Sequence, residues 1–164
     1  MKQKNKMNDT NIKKDENIKK DANRNYLRKL IKDPHVQEMK RYIQHGKVTT
    51  YEHCVSVTKA CDRLNRRLHL GADEKTLLTG AILHDFYLYD WHGRSLKDWT
   101  HSYKHPIIAC QNAVTYFDVD EDVQHMIRCH MWPFTFWRIP RSREAWILVI
   151  ADKYCSLKET LFCR

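Results

Sequence analysis

Residues 73–85 have the sequence DEKTLLTGAILHD, and this stretch decides how the rest of the chain is interpreted. Asp73 is a helix-capping residue type, and the apolar residues that follow it form a helical run as far as Leu83. His84 and Asp85 come directly after that run. A buried carboxylate is costly unless it is paired or binds a metal. The stretch therefore predicts a buried helix whose end carries polar groups in need of partners.

Apolar residues at intervals of three and four predict further helices on both sides of this stretch. Asp33-Pro34 separates the first two, Thr49 caps the third, and His105-Pro106 predicts a helix start with proline at its first position. A short helix and a loop are expected over 86–101, and a loop over 133–141. The chain shows no convincing strand pattern, so the predicted fold class is all-α. The other predicted helices cover 26–31, 36–43, 49–69, 106–117, 123–130 and 145–155.

The composition limits the class of protein. A chain of 164 residues with 42% hydrophobic residues, four Gly and four Pro favours one packed helical domain. Its formal net charge of +9 attracts phosphates, nucleic acids and anionic surfaces. Six cysteines without a C-x-x-C pair favour a reduced, intracellular protein with small buried thiols rather than a zinc module. No stretch approaches the ~20 apolar residues of a membrane span, and we expect a cytoplasmic location.

Residues 1–25 differ from the rest of the chain. They contain eight basic and four acidic residues and almost no apolar ones. Such a segment cannot offset its ordering entropy by burial. We therefore predict a basic, disordered tail over 1–25 and a single domain over 26–164. The alternative is a basic arm that binds nucleic acid or an anionic surface.

Metal-competent side chains recur on or beside the predicted apolar helix faces. Taken singly, each has a simpler explanation: a hydrogen-bonded core histidine, a capping residue at Asp85 or His105, or a salt bridge between Asp152 and Arg128. One shared metal site accounts for all of them together. Imidazole and carboxylate ligands without thiolate favour Fe or Mn, and also permit Mg, Co or Ni. The candidate ligands are His53, His84, Asp85, His105, His130 and Asp152.

These residues occur in an order that resembles the HD-domain metal-dependent phosphohydrolases. The motifs that carry the resemblance are GAILHDFYLYDW at 80–91, KHPIIACQNA at 104–113, IRCHMWP at 127–133 and WILVIADKYCSL at 146–157. The resemblance implies a bundle of roughly six to eight helices. It also implies that His84-Asp85 is the catalytic centre, and that His53, His84, Asp85 and Asp152 hold one metal ion.

In two-metal members of the family, His105 and His130 would hold a second ion and Asp85 would bridge the two. This sequence has Met131 where some two-metal subfamilies have another histidine. The sequence therefore departs from the fullest two-metal pattern at the second ion, and His101 is a further candidate to assist it.

The predicted function is metal-activated hydrolysis of a phosphomonoester or phosphodiester, in a small nucleotide-like substrate. The alternative is an HD scaffold that is not catalytic and serves as a nucleotide sensor, or a nucleic-acid-binding module that uses the basic tail. Aromatic residues at 132–137 favour either a base-stacking surface or packing against a lid or partner subunit. Basic residues that flank the motifs are candidate phosphate contacts, although surface charge alone also accounts for them: Arg94, Lys97, Lys104, Arg138 and Arg141.

Overall fold

The computed structural model describes the backbone of residues 2–91 and 98–162 and the side chains of 17–91 and 102–162. The described elements are α1 (Lys2–Lys32), α2 (Pro34–Glu38), a 3-10 helix (Met39–Arg41), β1 (Ile43–His45), β2 (Val48–Thr49), α3 (Thr50–Arg67), α4 (Glu74–Leu83), α5 (Asp98–Phe117), α6 (Glu121–Cys129) and α7 (Arg143–Phe162). The all-α class and the expected number of helices are confirmed. None of the helices in the described ranges is both long and apolar enough to cross a membrane.

Helices α3 and α4 form the centre of the bundle. Helix α3 starts as the sequence predicts, with Thr49 accepting from the backbone N–H of Glu52 while the Glu52 carboxylate accepts from the N–H of Thr49. Every residue of α4 from Leu77 to Leu83 is buried. A Cβ atom at Gly80 would lie 2.6 Å from Cε of Met126, so this glycine allows α4 and α6 to approach closely. The helix ends at Leu83, and His84 is its C-cap residue.

Two apolar clusters pack around α4. Ile82 and Leu83 belong to one, together with Met39 from the 3-10 helix, and Leu77 and Leu78 belong to the other. The five cysteines that the structure describes are all free and buried, as expected of small apolar side chains. Because α4 contributes to both clusters, the backbone at its C-terminal end is held from two sides.

The segment 36–49 differs from the prediction. A helix was expected over 36–43 and strands were not expected, but the chain forms α2, the 3-10 helix and a two-stranded antiparallel hairpin in which Ile43 pairs with Thr49. Gly46 adopts a positive φ of 58° in the turn. The backbone N–H of Thr50 donates to the carbonyl of Tyr42 at 2.8 Å, which fixes the hairpin to the start of α3. Strands of three and two residues are too short to produce a recognisable period.

The start of α5 also differs from the prediction. The helix begins at Asp98, so Pro106 lies inside it rather than at its first position. Proline there removes one backbone hydrogen bond. The helix continues upstream because Tyr103 packs there, with its ring centroid 5.0 Å from that of Phe134 and 5.8 Å from that of Trp137. Tertiary contacts thus outweigh the helix-start signal of the proline.

Helix α1 runs through the segment for which a tail was predicted. Its apolar contacts with the core begin at Tyr26 and Leu27 and include the buried Leu30. Side chains 17–22 are exposed, and Lys19 makes only a 3.5 Å contact with Asp73. The core thus begins near the boundary expected from composition, and the division at residue 25 stays a prediction.

Candidate metal centre

Five helices bring the six candidate ligands to one place in the core. His53 lies on α3, the His84-Asp85 pair follows α4, His105 lies on α5, His130 follows α6 and Asp152 lies on α7. None of them exposes more than 4% of its surface. These residues are far apart in the sequence. They are neighbours in the core because each ends or interrupts an apolar helix face that packs inward.

Two histidines and an aspartate form what we call the first histidine group: His53, His84 and Asp152. The Oδ1 atom of Asp152 lies 3.2 Å from Nε2 of His53 and 3.7 Å from Nε2 of His84. The Oδ2 atom of Asp85 joins this group, at 3.4 Å from Nε2 of His84 and 3.8 Å from Nε2 of His53. The ligand atoms of two imidazoles and two carboxylates therefore converge on one position.

The second histidine group consists of His105 and His130, and it faces the other oxygen of Asp85. The two Nε2 atoms lie 2.9 Å apart, and Oδ1 of Asp85 lies 3.2 Å from that of His105 and 3.5 Å from that of His130. Two ligands at right angles, each ~2.1 Å from a metal ion, would lie ~3.0 Å apart. The distance between the two ring nitrogens is therefore one that octahedral coordination accommodates.

Hydrogen bonds behind the rings set the tautomers of three histidines. Nδ1 of His84 donates to the carbonyl of Ala81, and Nδ1 of His130 donates to the carbonyl of Ile127, both at 2.8 Å. Nδ1 of His53 lies 2.8 Å from Oε2 of Glu159. Because a carbonyl oxygen only accepts, Nδ1 of His84 and of His130 carries a proton, and Nε2 is the ring atom that can bind a metal.

Two buried ligand atoms lack hydrogen bonds, which tests whether the residues fit a metal. Nε2 of His84 and Oδ1 of Asp85 are buried and form no hydrogen bond in the described structure. Leaving such atoms unsatisfied is costly, and a cation at the first histidine group would satisfy Nε2 of His84, as a cation at the second group would satisfy Oδ1 of Asp85. The donor set, the tautomers and these two atoms fit a divalent metal ion.

Charge interactions act strongly on the acids and histidines of the site. Burial raises the pKa of Asp85, but the adjacent His84 and His105 outweigh it and hold that pKa well below its usual range. Burial likewise raises the pKa of Asp152, and Lys153 and His53 bring it well below normal. Both carboxylates are therefore ionised at neutral pH and available to a cation.

The two histidine groups differ in their protonation. Burial lowers the pKa of His53, but hydrogen bonds with Asp152 and Glu159 overcome this and raise it to about 10. Burial also lowers the pKa of His84, and the nearby Asp85 carboxylate raises it well above normal. In the second group, burial lowers the pKa of His130 to about 3. The first group thus binds protons at neutral pH in the absence of another cation, whereas His130 is neutral.

The model of the HD domain family matches residues 50–157, more than half of the chain, and this range includes all six residues. The chain belongs to the HD-domain family. Comparisons with curated proteins and with solved structures gave no match. Within this HD domain, buried histidine and aspartate groups that could hold a metal ion include His53 with His84 and Asp152, and His84 with Asp85 and His130.

Polar residues that the sequence analysis missed hold the ligands of the HD domain in place. Nε2 of Gln44, on β1, donates to Oδ2 of Asp85 at 2.6 Å, and Oε1 of Gln44 accepts from the Tyr87 hydroxyl. Ser156 and Lys153 donate to Asp152, at 3.2 and 2.7 Å. Glu159 could have been found in the sequence, because it lies seven residues after Asp152 on the same face of a helix. Gln44 could not, because its strand was not predicted.

The structure excludes three of the simpler explanations. Arg128 is exposed and donates to Gln124, so it does not pair with Asp152. His105 lies inside α5 and therefore does not cap it. Asp85 does not cap a helix. Its carboxylate accepts a hydrogen bond from Gln44 and lies near four imidazoles.

A cavity of about 330 Å³ opens onto the site, with Asp85, His105, His130, Phe134 and Lys153 in its wall. Of the predicted phosphate contacts, the three that the structure describes do not contribute to this wall. Lys104 is exposed, the guanidinium of Arg138 donates to the carbonyl of Arg128 at 3.5 Å, and the backbone N–H of Arg141 donates to His125. Arg94, Lys97 and the side chain of His101 lie outside the described residues. The role of these residues stays a prediction.

Proposed function

We propose that this HD domain is a metal-dependent phosphohydrolase that hydrolyses a phosphomonoester or phosphodiester in a small, nucleotide-like molecule. The observation that carries the proposal is the position of Asp85, whose two oxygens face two separate pairs of histidines. A carboxylate in that position is suited to bridge two cations, and a pair of cations suits phosphoryl transfer to water. The basic character of the chain supports an anionic substrate.

In this proposal the first histidine group and Asp85 hold one ion, and the second histidine group and Asp85 hold the other. Nitrogen and oxygen ligands without thiolate favour Fe or Mn, with Mg, Co or Ni as alternatives. A divalent metal bound there supplies Lewis acidity and a water of lowered pKa.

The residues of the chain perform the other tasks. Gln44 orients the Asp85 carboxylate, and the apolar shell excludes bulk water from the ligands. Lys153 lies in the cavity wall, with 41% of its side chain exposed and its ammonium group 2.7 Å from Asp152. We assign it the role of binding a substrate phosphate oxygen while it remains paired with Asp152.

The test combines metal analysis with a panel of nucleotides and simple phosphoesters. The purified protein is expected to contain one to two ions per chain and to hydrolyse at least one phosphoester of the panel. Asp85→Ala is expected to lose the metal and to lower turnover by about 1000-fold or more, whereas Asp122→Ala, at an exposed position on α6, keeps both. Equal turnover in the wild type and in Asp85→Ala would refute the proposal.

The same experiment separates the alternatives. Tight nucleotide binding without turnover, with metal present, would favour a sensor. Deleting residues 1–24 tests the nucleic-acid role: if affinity for nucleic acid disappears while hydrolysis is retained, binding by the tail is a separate property.

A further inference from the structure

The outward face of α7 carries a line of exposed apolar residues from Trp146 to Leu161. Trp146, Ile150, Tyr154, Leu157 and Leu161 are spaced by four, four, three and four residues and so form one stripe, which we call the α7 stripe. Their exposed fractions lie between 38% and 63%. The opposite face of the same helix is buried in the core through residues such as Leu148 and Cys155. Polar residues such as Lys158 lie beside the stripe, but a helix with apolar residues on two opposite faces normally buries both of them.

The α7 stripe is large enough for a specific interface. With Phe162 at its end, which is 78% exposed, it presents roughly 600 Å² of apolar surface. That area reaches the upper limit for an exposed patch on a monomer and approaches the ~800 Å² per partner of a standard interface. Trp132 extends the surface, with its ring centroid 4.8 Å from that of Trp146.

Segments 92–97 and 1–25 of the chain are poor candidates to cover the stripe. Residues 92–97, HGRSLK, contain one large apolar residue, and residues 1–25 are dominated by charged and amide side chains. Neither sequence offers an apolar face that matches the length of the stripe, which is ~22 Å between Trp146 and Leu161.

We propose that the α7 stripe is the interface between two copies of this chain, with the two α7 helices antiparallel about a two-fold axis near Tyr154. The spacing between the stripe residues is nearly the same when it is read in either direction along the helix, so two antiparallel copies can place their stripes against each other. In that register Trp146 lies opposite Leu161 of the second copy and Ile150 lies opposite Leu157, while the two Tyr154 side chains meet near the axis. Such a self-complementary surface forms a closed dimer.

Electrostatics predicts how this dimer responds to salt. Each copy has a formal net charge of +9, so two copies repel each other and apolar burial must hold them together. Added salt screens the repulsion and leaves the apolar contact intact, so association becomes tighter as the ionic strength rises. Binding of this basic protein to an anionic membrane would weaken under the same change.

Sedimentation velocity over a range of protein concentrations tests the proposal. The wild type is expected to dimerise. Ile150→Glu combined with Leu157→Glu is expected to raise the dissociation constant about thirtyfold or more. Val114→Glu is the control, because Val114 is an apolar residue of α5 outside the stripe, with an exposed fraction of 38%, and it should leave the dimer intact. Circular dichroism of both variants verifies that they remain folded.

A covalent probe keeps the test decisive if the glutamate variants do not fold. Tyr154→Cys places a thiol near the proposed axis, so mild oxidation is expected to give a disulfide-linked dimer, whereas Val114→Cys should give none. Sedimentation of the wild type as a monomer at high micromolar concentration, at both low and high salt, would overturn the proposal. So would a stripe-dependent affinity for phosphatidylserine vesicles in a protein that stays monomeric.

Discussion

The two histidine groups of the site lie on either side of Asp85 and have different surroundings. The first histidine group contains a second carboxylate, Asp152, and its histidine His53 is backed by the carboxylate of Glu159. The second histidine group has only one oxygen of Asp85, and its His130 is backed by a backbone carbonyl. The negative charge of the site is thus concentrated at the first histidine group.

This difference predicts an order of binding. A cation is attracted more strongly by two carboxylates than by one, so we expect the first histidine group to bind its ion more tightly. The second histidine group should then bind its ion with lower affinity, so that its occupancy depends on the metal concentration. Four predictions test this asymmetry, from the largest expected effect to the smallest.

Replacing a ligand of the first histidine group should have the largest effect. His84→Gln removes the ring nitrogen that lies between Asp85 and Asp152, so we expect loss of the bound metal and a decrease in turnover of about 1000-fold or more. Elemental analysis and a phosphoester assay measure both. His35→Gln, at an exposed histidine, is the control. A His84→Gln protein that keeps its metal would show that the first group is not the tighter site.

Replacing a ligand of the second histidine group should be milder. His130→Gln is expected to halve the metal content and to lower turnover by about 100-fold, because the first group still binds its ion. The measurement is metal stoichiometry at saturating and at limiting metal. Complete loss of metal in His130→Gln would mean that the two groups do not bind independently.

The carboxylate behind His53 gives a smaller effect. Glu159→Gln keeps the size of the side chain but removes the charge that holds Nδ1 of His53, so metal affinity should decrease by about 10-fold to 100-fold. Turnover at saturating metal should change much less, because Glu159 acts through His53. Metal titration of Glu159→Gln beside Glu121→Gln, an exposed acid on α6, measures the difference. Unchanged affinity would remove Glu159 from the site.

The pH dependence of metal binding should distinguish the two groups. Since the pKa of His53 is raised to about 10, its proton must leave before a metal binds, and affinity at the first group should rise with pH by up to about tenfold per unit until that pKa is reached. His130, with its pKa lowered to about 3, is already neutral and contributes no such slope above pH 5. Calorimetry in buffers of different ionisation enthalpy counts the released protons. Metal binding to the first group without proton release would contradict this prediction.

Much of the site could be predicted because each ligand lies on a helix whose apolar spacing is visible in the sequence. His53 and His130 continue apolar stripes, and His84-Asp85 ends one, so local periodicity alone indicates that these side chains face the core. The hairpin and its Gln44 were missed because two very short strands have no period. They form because the hairpin docks on α3, which is a tertiary contact.

The sequence by itself indicated the helices that carry the six candidate ligands, because spacing of three and four decides the face of a helix. Only the tertiary structure decided that the two oxygens of Asp85 face different pairs of histidines. It also brought Glu159 to His53 across 106 positions of the sequence. The physical reason is that distances between helices depend on how their side chains pack, as at Gly80 against Met126, and spacing along one helix does not specify them.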